Sequence, residues 1–249
     1  MPEEPMTLAV DVGGTGIKAS VLDAHGAMLV ERVRVATPHP CPPDVLLDHV
    51  AQIAAGLPAY DRVSIGFPGV VRGRTVLTAP HFEDAVWRDY PLADAIEKRL
   101  GKPTRMLNDA EVQGLACIKG RGLEFVLTLG TGAGTALFRD GVLMPHLELA
   151  HHPVHKRKSY NAYIGDHALR EDGVRKWSRK VVKTIAILDA LLHYDVLYVG
   201  GGNAQKVEFM PTGVRIVSND GGLTGGVRLW DATFDPPSLL SQSRARPDS

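Results

Sequence analysis

Residues 8–23 read LAVDVGGTGIKASVLD, and this stretch decides how the rest of the chain is interpreted. The apolar runs at 7–12 and 17–22 are typical of two short β-strands. The turn between them carries three glycines and a threonine, which leaves the backbone bare. Such a turn is either a plain tight hairpin or a place where the backbone must approach a ligand.

The same arrangement returns at 124–144, EFVLTLGTGAGTALFRDGVLM. The pattern therefore occurs twice, at 7–30 and at 124–144. Each copy predicts a strand, a glycine turn, a second strand, another turn and a third strand. Repetition of such a unit indicates two related lobes. We therefore predict an N-terminal lobe at 1–108, a C-terminal lobe at 109–231 and a disordered polar tail at 232–249.

The remaining pattern alternates helices and strands. Apolar residues at helical spacing predict one helix that begins near Pro43. Further helices are predicted at 91–100, 110–119 and 175–193. Strands are predicted at 28–35, 62–70, 104–109 and 195–202. The histidine-rich stretch 144–168 has no regular period, which predicts an irregular segment.

The composition excludes several classes of protein. The formal net charge is zero and 44% of the residues are hydrophobic, so we expect a globular core and neither a nucleic-acid nor a membrane partner. No apolar run approaches the ~20 residues of a membrane-spanning helix, and the N-terminus lacks the layout of a signal peptide. Cys41 and Cys117 are too few for a disulfide framework or a four-ligand zinc site. These features predict a soluble cytoplasmic protein.

The glycine turns have a chemical interpretation. Without side chains, consecutive backbone N–H groups can converge on an anion. One such turn is weak support, but two of them, with Gly200, Gly201 and Gly202 after a further strand, favour phosphate binding. Thr15 and Thr131 add hydroxyl donors, and Asp11 is a candidate to hold Mg²⁺ through water. Neither turn has the spacing of a P-loop, and a strand rather than a helix follows the first.

Asp109 follows Asn108 at the end of an apolar strand and precedes a helix. Its carboxylate is either the N-cap of that helix or a general base for a substrate hydroxyl, because strand ends at a lobe boundary face clefts. Phosphoryl transfer to an alcohol needs one positioned carboxylate, phosphate-holding N–H groups and usually Mg²⁺. The chain supplies candidates for all three.

The segment HLELAHHPVH at 146–155 leaves three alternatives open. Glu148 and His151 could hydrogen-bond a polyol, the four histidines could gather a metal ion, or the segment could be a solvated loop. Pro153 disfavours a helix that would align His151 with His155. The metal cluster is the least favoured of the three.

Six motifs in order resemble the ROK family of sugar kinases, and within it the polyphosphate glucokinases. They are DVGGTGIK, GFPGVV, LND, LTLGTGAGTALF, ELAHH and VGGG, spread over about residues 8–230. The resemblance implies an α/β, two-lobed, actin-like ATPase (ribonuclease H-like) fold with a central interlobe cleft. It also implies a homodimeric kinase that uses Mg²⁺ and transfers a phosphoryl group from polyphosphate or ATP to the 6-hydroxyl of glucose or a related hexose.

The same resemblance assigns roles to individual residues. Asp109 is implied as the base that takes the proton from the 6-hydroxyl. The residues implied to bind or shape the sugar site are Asn108, Glu148, His151, Gly66, Pro68 and Gly69. The residues implied to bind the phosphoryl donor are Gly13, Gly14, Thr15 and Lys18 in the first turn, Gly130, Thr131 and Gly132 in the second, and Gly200, Gly201 and Gly202 beside a nucleotide.

Departures from the family pattern keep alternatives open. Ala150 and Pro153 replace a glycine and a glutamate near the sugar motif, and the family's cysteine-rich zinc motif is missing. The basic stretches 155–159 and 175–180 are either a track for polyphosphate or a solvated helix face. The alternative functions are a non-catalytic sugar-binding or regulatory protein and a phosphate-chain or nucleotide hydrolase.

Overall fold

The structure is a computed structural model that describes residues 4–82 and 84–231. The first half of this part of the chain contains β1 (Thr7–Val12), β2 (Ile17–Leu22), β3 (Val33–Val35), α1 (Pro43–Ala55), β4 (Arg62–Phe67), β5 (Val71–Arg72), β6 (Thr75–Val76), α2 (Asp84–Trp87), α3 (Leu92–Leu100), β7 (Thr104–Asn108) and α4 (Asp109–Cys117). The second half contains β8 (Leu123–Leu129), β9 (Ala133–Arg139), β10 (Val142–Leu143), β11 (Pro153–His155), β12 (Lys158–Ser159), α5 (Tyr160–Ile164), α6 (Asp166–Asp172), α7 (Val174–Leu192), β13 (Val196–Gly200), β14 (Arg215–Ile216) and α8 (Gly221–Thr224). Short 3-10 helices cover Ala204–Lys206 and Gly225–Trp230.

Two sheets of the same design organise these elements. The first has the strand order β3-β2-β1-β4-β7, and the second has the order β10-β9-β8-β13-β14. In each sheet an antiparallel meander comes first, and the next strand joins parallel to the first strand of that meander. The repeat predicted from the two glycine turns is therefore present in the structure.

Each sheet buries a face under helices from its own half of the chain. On the first sheet, Leu46 and Ile53 of α1 and Ile96 of α3 belong to one apolar core. On the second sheet, Trp177 and Val181 of α7 belong to another. The predicted helical spacing arises from this one-sided burial.

Helix α4 lies between the two sheets, where the predicted lobes meet. Leu115 on this helix packs with Phe138 of the second sheet. The last described turns of the chain return to the first sheet, where the Ser64 hydroxyl donates to the Gly226 carbonyl at 2.7 Å and the Trp230 indole donates to that hydroxyl at 2.9 Å. The division at 108/109 stays a prediction, and the predicted tail at 232–249 lies outside the described residues.

Two strand predictions need correction. The predicted strand at 28–35 is reduced to β3 and an isolated bridge at Met28, because the chain bends at Leu29 and Val30 between them. The predicted strand at 62–70 ends at Phe67, because Pro68 has no N–H to continue the ladder.

The segment predicted to be irregular at 144–168 is partly regular. It forms the small β11–β12 hairpin, then α5 and the start of α6. The helix predicted at 110–119 begins at Asp109 and ends at Cys117. No helix within residues 4–82 and 84–231 combines the length and apolar character needed to cross a membrane.

Candidate active site

A cavity of about 500 Å³ lies between the two sheets. Both glycine turns, the N-terminus of α4 and the loop after β13 form its walls. Strand β7 ends at the cavity with Asn108, and β13 ends just before the wall residues Gly201 and Gly202. The two turns face one shared space, as phosphate binding by both would require.

Most residues predicted for the site line this cavity. Those that do are Asp11, Gly13, Gly14, Thr15, Lys18, Pro68, Gly69, Asn108, Asp109, Gly130, Thr131, Gly132, Glu148, His151, Gly201 and Gly202. Gly66 and Gly200 do not lie on the wall. Gly66 packs beneath the backbone of Asp109, and Gly200 packs against the side chain of Gln113.

Asp109 is the first residue of α4, and its carboxylate lines the cavity. One carboxylate oxygen accepts the N–H of Ala110 at 2.9 Å. Burial, followed by the negative charges of Asp11, Glu111 and Glu148, raises the pKa of Asp109 to about 7. A carboxylate with this pKa suits general-base chemistry near neutral pH.

Asn108, not Asp109, is the N-cap of α4, so the interpretation of Asp109 as a capping carboxylate is wrong. The side-chain oxygen of Asn108 accepts the N–H of Ala110 at 2.9 Å, and its amide group donates to the Gly69 carbonyl at 3.0 Å. This residue therefore joins the helix start to the Pro68–Gly69 loop. Capping by the neighbour leaves the Asp109 carboxylate available to the cavity.

Glu111 completes a capping box that sequence analysis missed. Its carboxylate accepts the backbone N–H of Asn108 at 3.1 Å, while the Asn108 side chain caps the helix in return. The signal was present in the sequence as an N-cap residue followed three positions later by glutamate. Glu111 fixes the turn that presents Asp109.

His146 lies between two carboxylates at the edge of the site. Its Nδ1 is 2.8 Å from an oxygen of Glu111, and its Nε2 is 3.4 Å from an oxygen of Glu148. Although burial opposes the charged imidazole, these two hydrogen bonds raise the pKa of His146 to about 9. Burial likewise opposes ionisation of Glu148, but His146 holds the pKa of the Glu148 carboxyl below its usual range.

Asp11 and Lys18 face each other across the β1–β2 pair, with 2.8 Å between the Lys18 ammonium and one Asp11 oxygen. Both side chains are largely buried and both line the cavity. Mg²⁺ is commonly held by one or two carboxylates together with substrate phosphates and water. A single carboxylate beside a phosphate-sized space fits that mode, and Asp11 is the residue that would hold the ion.

Arg34 is a cavity residue that the sequence did not reveal. Its guanidinium lies over the first glycine turn and is 3.4 Å from the Thr15 carbonyl. A Cβ atom at Gly16 would lie only 2.7 Å from that guanidinium, so the glycine makes room for the arginine. Arg34 sits eighteen residues after Gly16 on another strand, and no local motif connects the two.

The glycines of the predicted donor loops differ in whether the fold leaves room for a side chain. A Cβ at Gly130 or Gly202 would meet nothing within 4 Å, so packing does not exclude a side chain there. At Gly201, φ is +84° and a Cβ would lie 2.4 Å from the Leu129 carbonyl oxygen, so the fold itself requires glycine. Gly130 and Gly202 are the better candidates for close approach to a ligand.

Polar residues of the second half order the second turn. The side-chain oxygen of Asn161 accepts the N–H of Ala133 at 2.8 Å, and the Asn203 amide donates to the Gly130 carbonyl at 3.4 Å. Asp166, the first residue of α6, is 3.3 Å from the Asn203 amide and lines the same end of the cavity. Sequence analysis missed Asn161 and Asp166 because their segment matches no motif.

The histidine cluster does not form a metal centre. Within the described ranges, no three His, Cys, Asp or Glu side chains are grouped to hold a metal ion. His146 is held between glutamates, whereas the ring of His155 packs at a tilt against Tyr163, with 5.2 Å between the ring centroids. His151 lines the cavity, and so does His81, which the sequence did not indicate. Burial, followed by the charge of His151, lowers the pKa of His81.

The basic stretches do not line the cavity. Lys176 and Lys180 both pair with Asp172, and Lys183 is 3.4 Å from His155. Neither 155–159 nor 175–180 contributes to the cavity wall. The arrangement favours a solvated helix face over a polyphosphate track in these stretches.

Comparison with known proteins gives a consistent set of likenesses. The ROK family model matches residues 7–145. The polyphosphate glucokinase of Mycobacterium tuberculosis (strain ATCC 25618 / H37Rv) is 29% identical over 208 residues, which cover 80% of this chain and 78% of that protein. The inorganic polyphosphate/ATP-glucomannokinase of Arthrobacter sp. strain KM superposes with a TM-score of 0.81 at 29% identity, over 90% of this chain and 97% of that chain.

A ROK family glucokinase from Streptomyces griseus, solved in complex with glucose and AMPPNP, superposes with a TM-score of 0.76 at 22% identity. That likeness covers 90% of this chain and 98% of the other and concerns the fold. The predicted α/β, actin-like ATPase fold is confirmed by these superpositions. The cavity between the two sheets occupies the place of the cleft that this fold implies.

Proposed function

Since the chain belongs to the ROK family, we propose that it is a sugar kinase that transfers a phosphoryl group from polyphosphate or ATP to the 6-hydroxyl of glucose or a related hexose. The names of its relatives support this class of reaction: a polyphosphate glucokinase by sequence and a polyphosphate/ATP-glucomannokinase by structure. One observation carries the proposal. The Asp109 carboxylate, with its raised pKa, lies in the same cavity as both glycine turns.

The reaction is a single displacement at phosphorus. Asp109 takes the proton of the sugar 6-hydroxyl while the oxygen forms a bond to the terminal phosphorus of the donor. The bond from that phosphorus to the bridging oxygen breaks, and ADP or a polyphosphate shortened by one unit leaves. Backbone N–H groups of the turns at 13–16 and 130–132 would hold the transferring phosphate.

Mg²⁺, held near Asp11 through water, would supply charge neutralisation at the donor phosphates. Glu148 and His151 are proposed to bind sugar hydroxyls, since both line the same cavity as Asp109 and the charge of Glu148 acts on Asp109. The methyl group of Ala150 adds to this wall, which bears on the choice of hexose. The homodimer and the cytoplasmic location implied by the resemblance stay predictions.

Activity is expected to fall as the pH drops through about 7, because only the ionised Asp109 can accept a proton. At saturating donor, kcat/KM for the sugar should fall about tenfold per pH unit below that value and level off above it. Burial raises this pKa, so the acid limb lies at a higher pH than an ordinary carboxyl would give. Steady-state kinetics between about pH 5 and 9 measure it, and an acid limb near pH ~4 would contradict the assignment.

Arg34 is expected to bind the donor phosphates, because its guanidinium lies over the first glycine turn at the cavity wall. Arg34→Ala should raise the KM for the donor by about tenfold and leave the KM for the sugar within about twofold. Arg72→Ala, at an exposed arginine of β5, is the matched control. Equal donor KM values in the two variants would remove Arg34 from the donor site.

A matrix of donors against acceptors tests the proposed function. Polyphosphate and ATP are each combined with glucose, mannose and N-acetylated hexosamines, and the 6-phosphorylated product is measured. Turnover with at least one pair is expected. Sugar binding by calorimetry without turnover in any pair would instead support a non-catalytic sugar-binding protein, and phosphate release independent of sugar would support a hydrolase.

A further inference from the structure

We propose that His146 is a positioning residue for the sugar site, where it ties Glu148 to the capping box that presents Asp109. This inference rests on the proposed kinase function and names how its sugar pocket is held. No motif of the sequence analysis gave His146 this role.

The ring of His146 is placed so that each nitrogen faces a carboxylate to which it can donate. Nδ1 faces Glu111 at 2.8 Å and Nε2 faces Glu148 at 3.4 Å. Ionised carboxylates only accept hydrogen bonds, whereas a neutral imidazole can donate only one. The geometry therefore fits an imidazolium ion that bridges two glutamates.

The bridge joins two parts of the site that are otherwise separate in the chain. Glu111 accepts the N–H of Asn108 at 3.1 Å and so fixes the turn before Asp109. Glu148 lines the cavity and lies outside the strands, in a loop that β9 holds through the Thr135 hydroxyl, which donates to the Leu147 carbonyl at 2.8 Å. His146 therefore links the loop that carries Glu148 to the N-terminus of α4, where the candidate base Asp109 lies.

Burial of the His146 and Glu111 side chains makes the bridge consequential, while the Glu148 side chain is 33% exposed. His146 has 14% of its side chain exposed and Glu111 has 5%, so solvent cannot readily replace the bond between them. Without His146, Glu111 would lose a buried partner, and Glu148 would keep only its backbone hydrogen bond at Ala150 and the neighbouring His151. Loss of the bridge should therefore weaken binding of the sugar more than binding of the donor.

The charge of the bridge also affects Asp109. The negative charges that face Asp109 are those of Asp11, Glu111 and Glu148, and Asp11 is paired with Lys18. His146 neutralises part of the charge of the two glutamates. Removing that cation leaves more negative charge beside Asp109, which makes its ionisation harder and moves the acid limb of kcat/KM to higher pH.

Kinetics of His146→Ala test the proposal. We expect the KM for the sugar to rise about tenfold or more, with kcat and the KM for the donor within about threefold. His152→Ala is the matched control, because this neighbouring histidine is exposed and does not line the cavity. A sugar KM equal to that of the control would overturn the proposal.

His146→Gln keeps a hydrogen-bond donor without the charge. It keeps the proposal testable even when the alanine variant does not fold. Its sugar KM should lie between those of the unaltered protein and His146→Ala, and its acid limb should move to higher pH. An unshifted acid limb together with an unchanged sugar KM would show that His146 only fills space.

Two readouts separate failure of this inference from failure of the kinase proposal. If the unaltered protein shows no turnover, calorimetry of sugar binding to the same variants still measures the positioning effect. The ¹⁵N shifts of the His146 ring need neither activity nor ligand. Protons on both nitrogens at about pH 8 are expected, and a neutral ring would overturn the proposal.

Discussion

Asp109→Asn is expected to lower kcat by about 10³-fold while binding of the sugar persists. The carboxamide has nearly the same shape as the carboxylate, but it cannot accept the proton of the sugar hydroxyl. The neighbouring Asn108 caps α4 and Ala110 keeps that bond, so the helix start should stay intact. Pre-steady-state or steady-state turnover with saturating substrates measures the loss, and calorimetry measures sugar binding.

Stability provides an independent check on the same variant. The pKa of Asp109 is raised in the folded state, so ionisation of this carboxyl reduces the free energy of unfolding as the pH rises from about 4 to about 7. Asparagine removes that penalty. Asp109→Asn should therefore have a higher Tm than the unaltered protein at about pH 8 and a similar Tm at about pH 4, which excludes unfolding as the cause of lost turnover.

Asp166→Asn is the matched control for this experiment. Asp166 is also the first residue of a helix and also lines the cavity, but its carboxylate lies beside Arg170 and Asn203. It should lose far less turnover than Asp109→Asn. Comparable losses in both variants would mean that any carboxylate of the cavity matters equally, and Asp109 would have no special role.

Glu148→Ala is expected to raise the KM for the sugar by about 100-fold, because the change removes charge-assisted hydrogen bonds to sugar hydroxyls. It also leaves His146 with one carboxylate partner in place of two. The KM for the donor should change by less than about threefold, since the glycine turns, not Glu148, are proposed to hold the donor. Varying one substrate at saturation of the other separates the two effects.

Glu171→Ala, at an exposed glutamate of α6, controls for loss of one negative charge from the chain. It should leave both KM values unchanged. If Glu148→Ala instead raised the donor KM and spared the sugar KM, the orientation of the two substrates in the cavity would have to be reversed.

The parts of the fold that sequence predicted are those with a local signal. The duplicated meander follows from short apolar runs around glycine turns, and α1, α3 and α7 follow from apolar residues at helical spacing. Asp109 was identifiable because it follows a buried strand directly. Each of these signals lies within about twenty residues of the chain.

The parts that were missed depend on partners far apart in sequence. Arg34 reaches the first turn only through the pairing of β2 with β3, and His146 meets Glu111 from 35 residues away. The strand predicted at 28–35 is interrupted by a bend at Leu29 and Val30, and Arg32, which follows the bend, pairs with Asp220, 188 residues further on. Only the tertiary structure brings these groups together.

The most direct test of the account is a crystal structure of Asp109→Asn with a bound hexose and a non-transferable donor. If Asp109 is the base, we expect the 6-oxygen of the sugar to lie about 3 Å from the side chain of residue 109, with the terminal phosphate between the two glycine turns. A sugar whose 6-oxygen points away from residue 109, or a phosphate chain bound outside those turns, would contradict it.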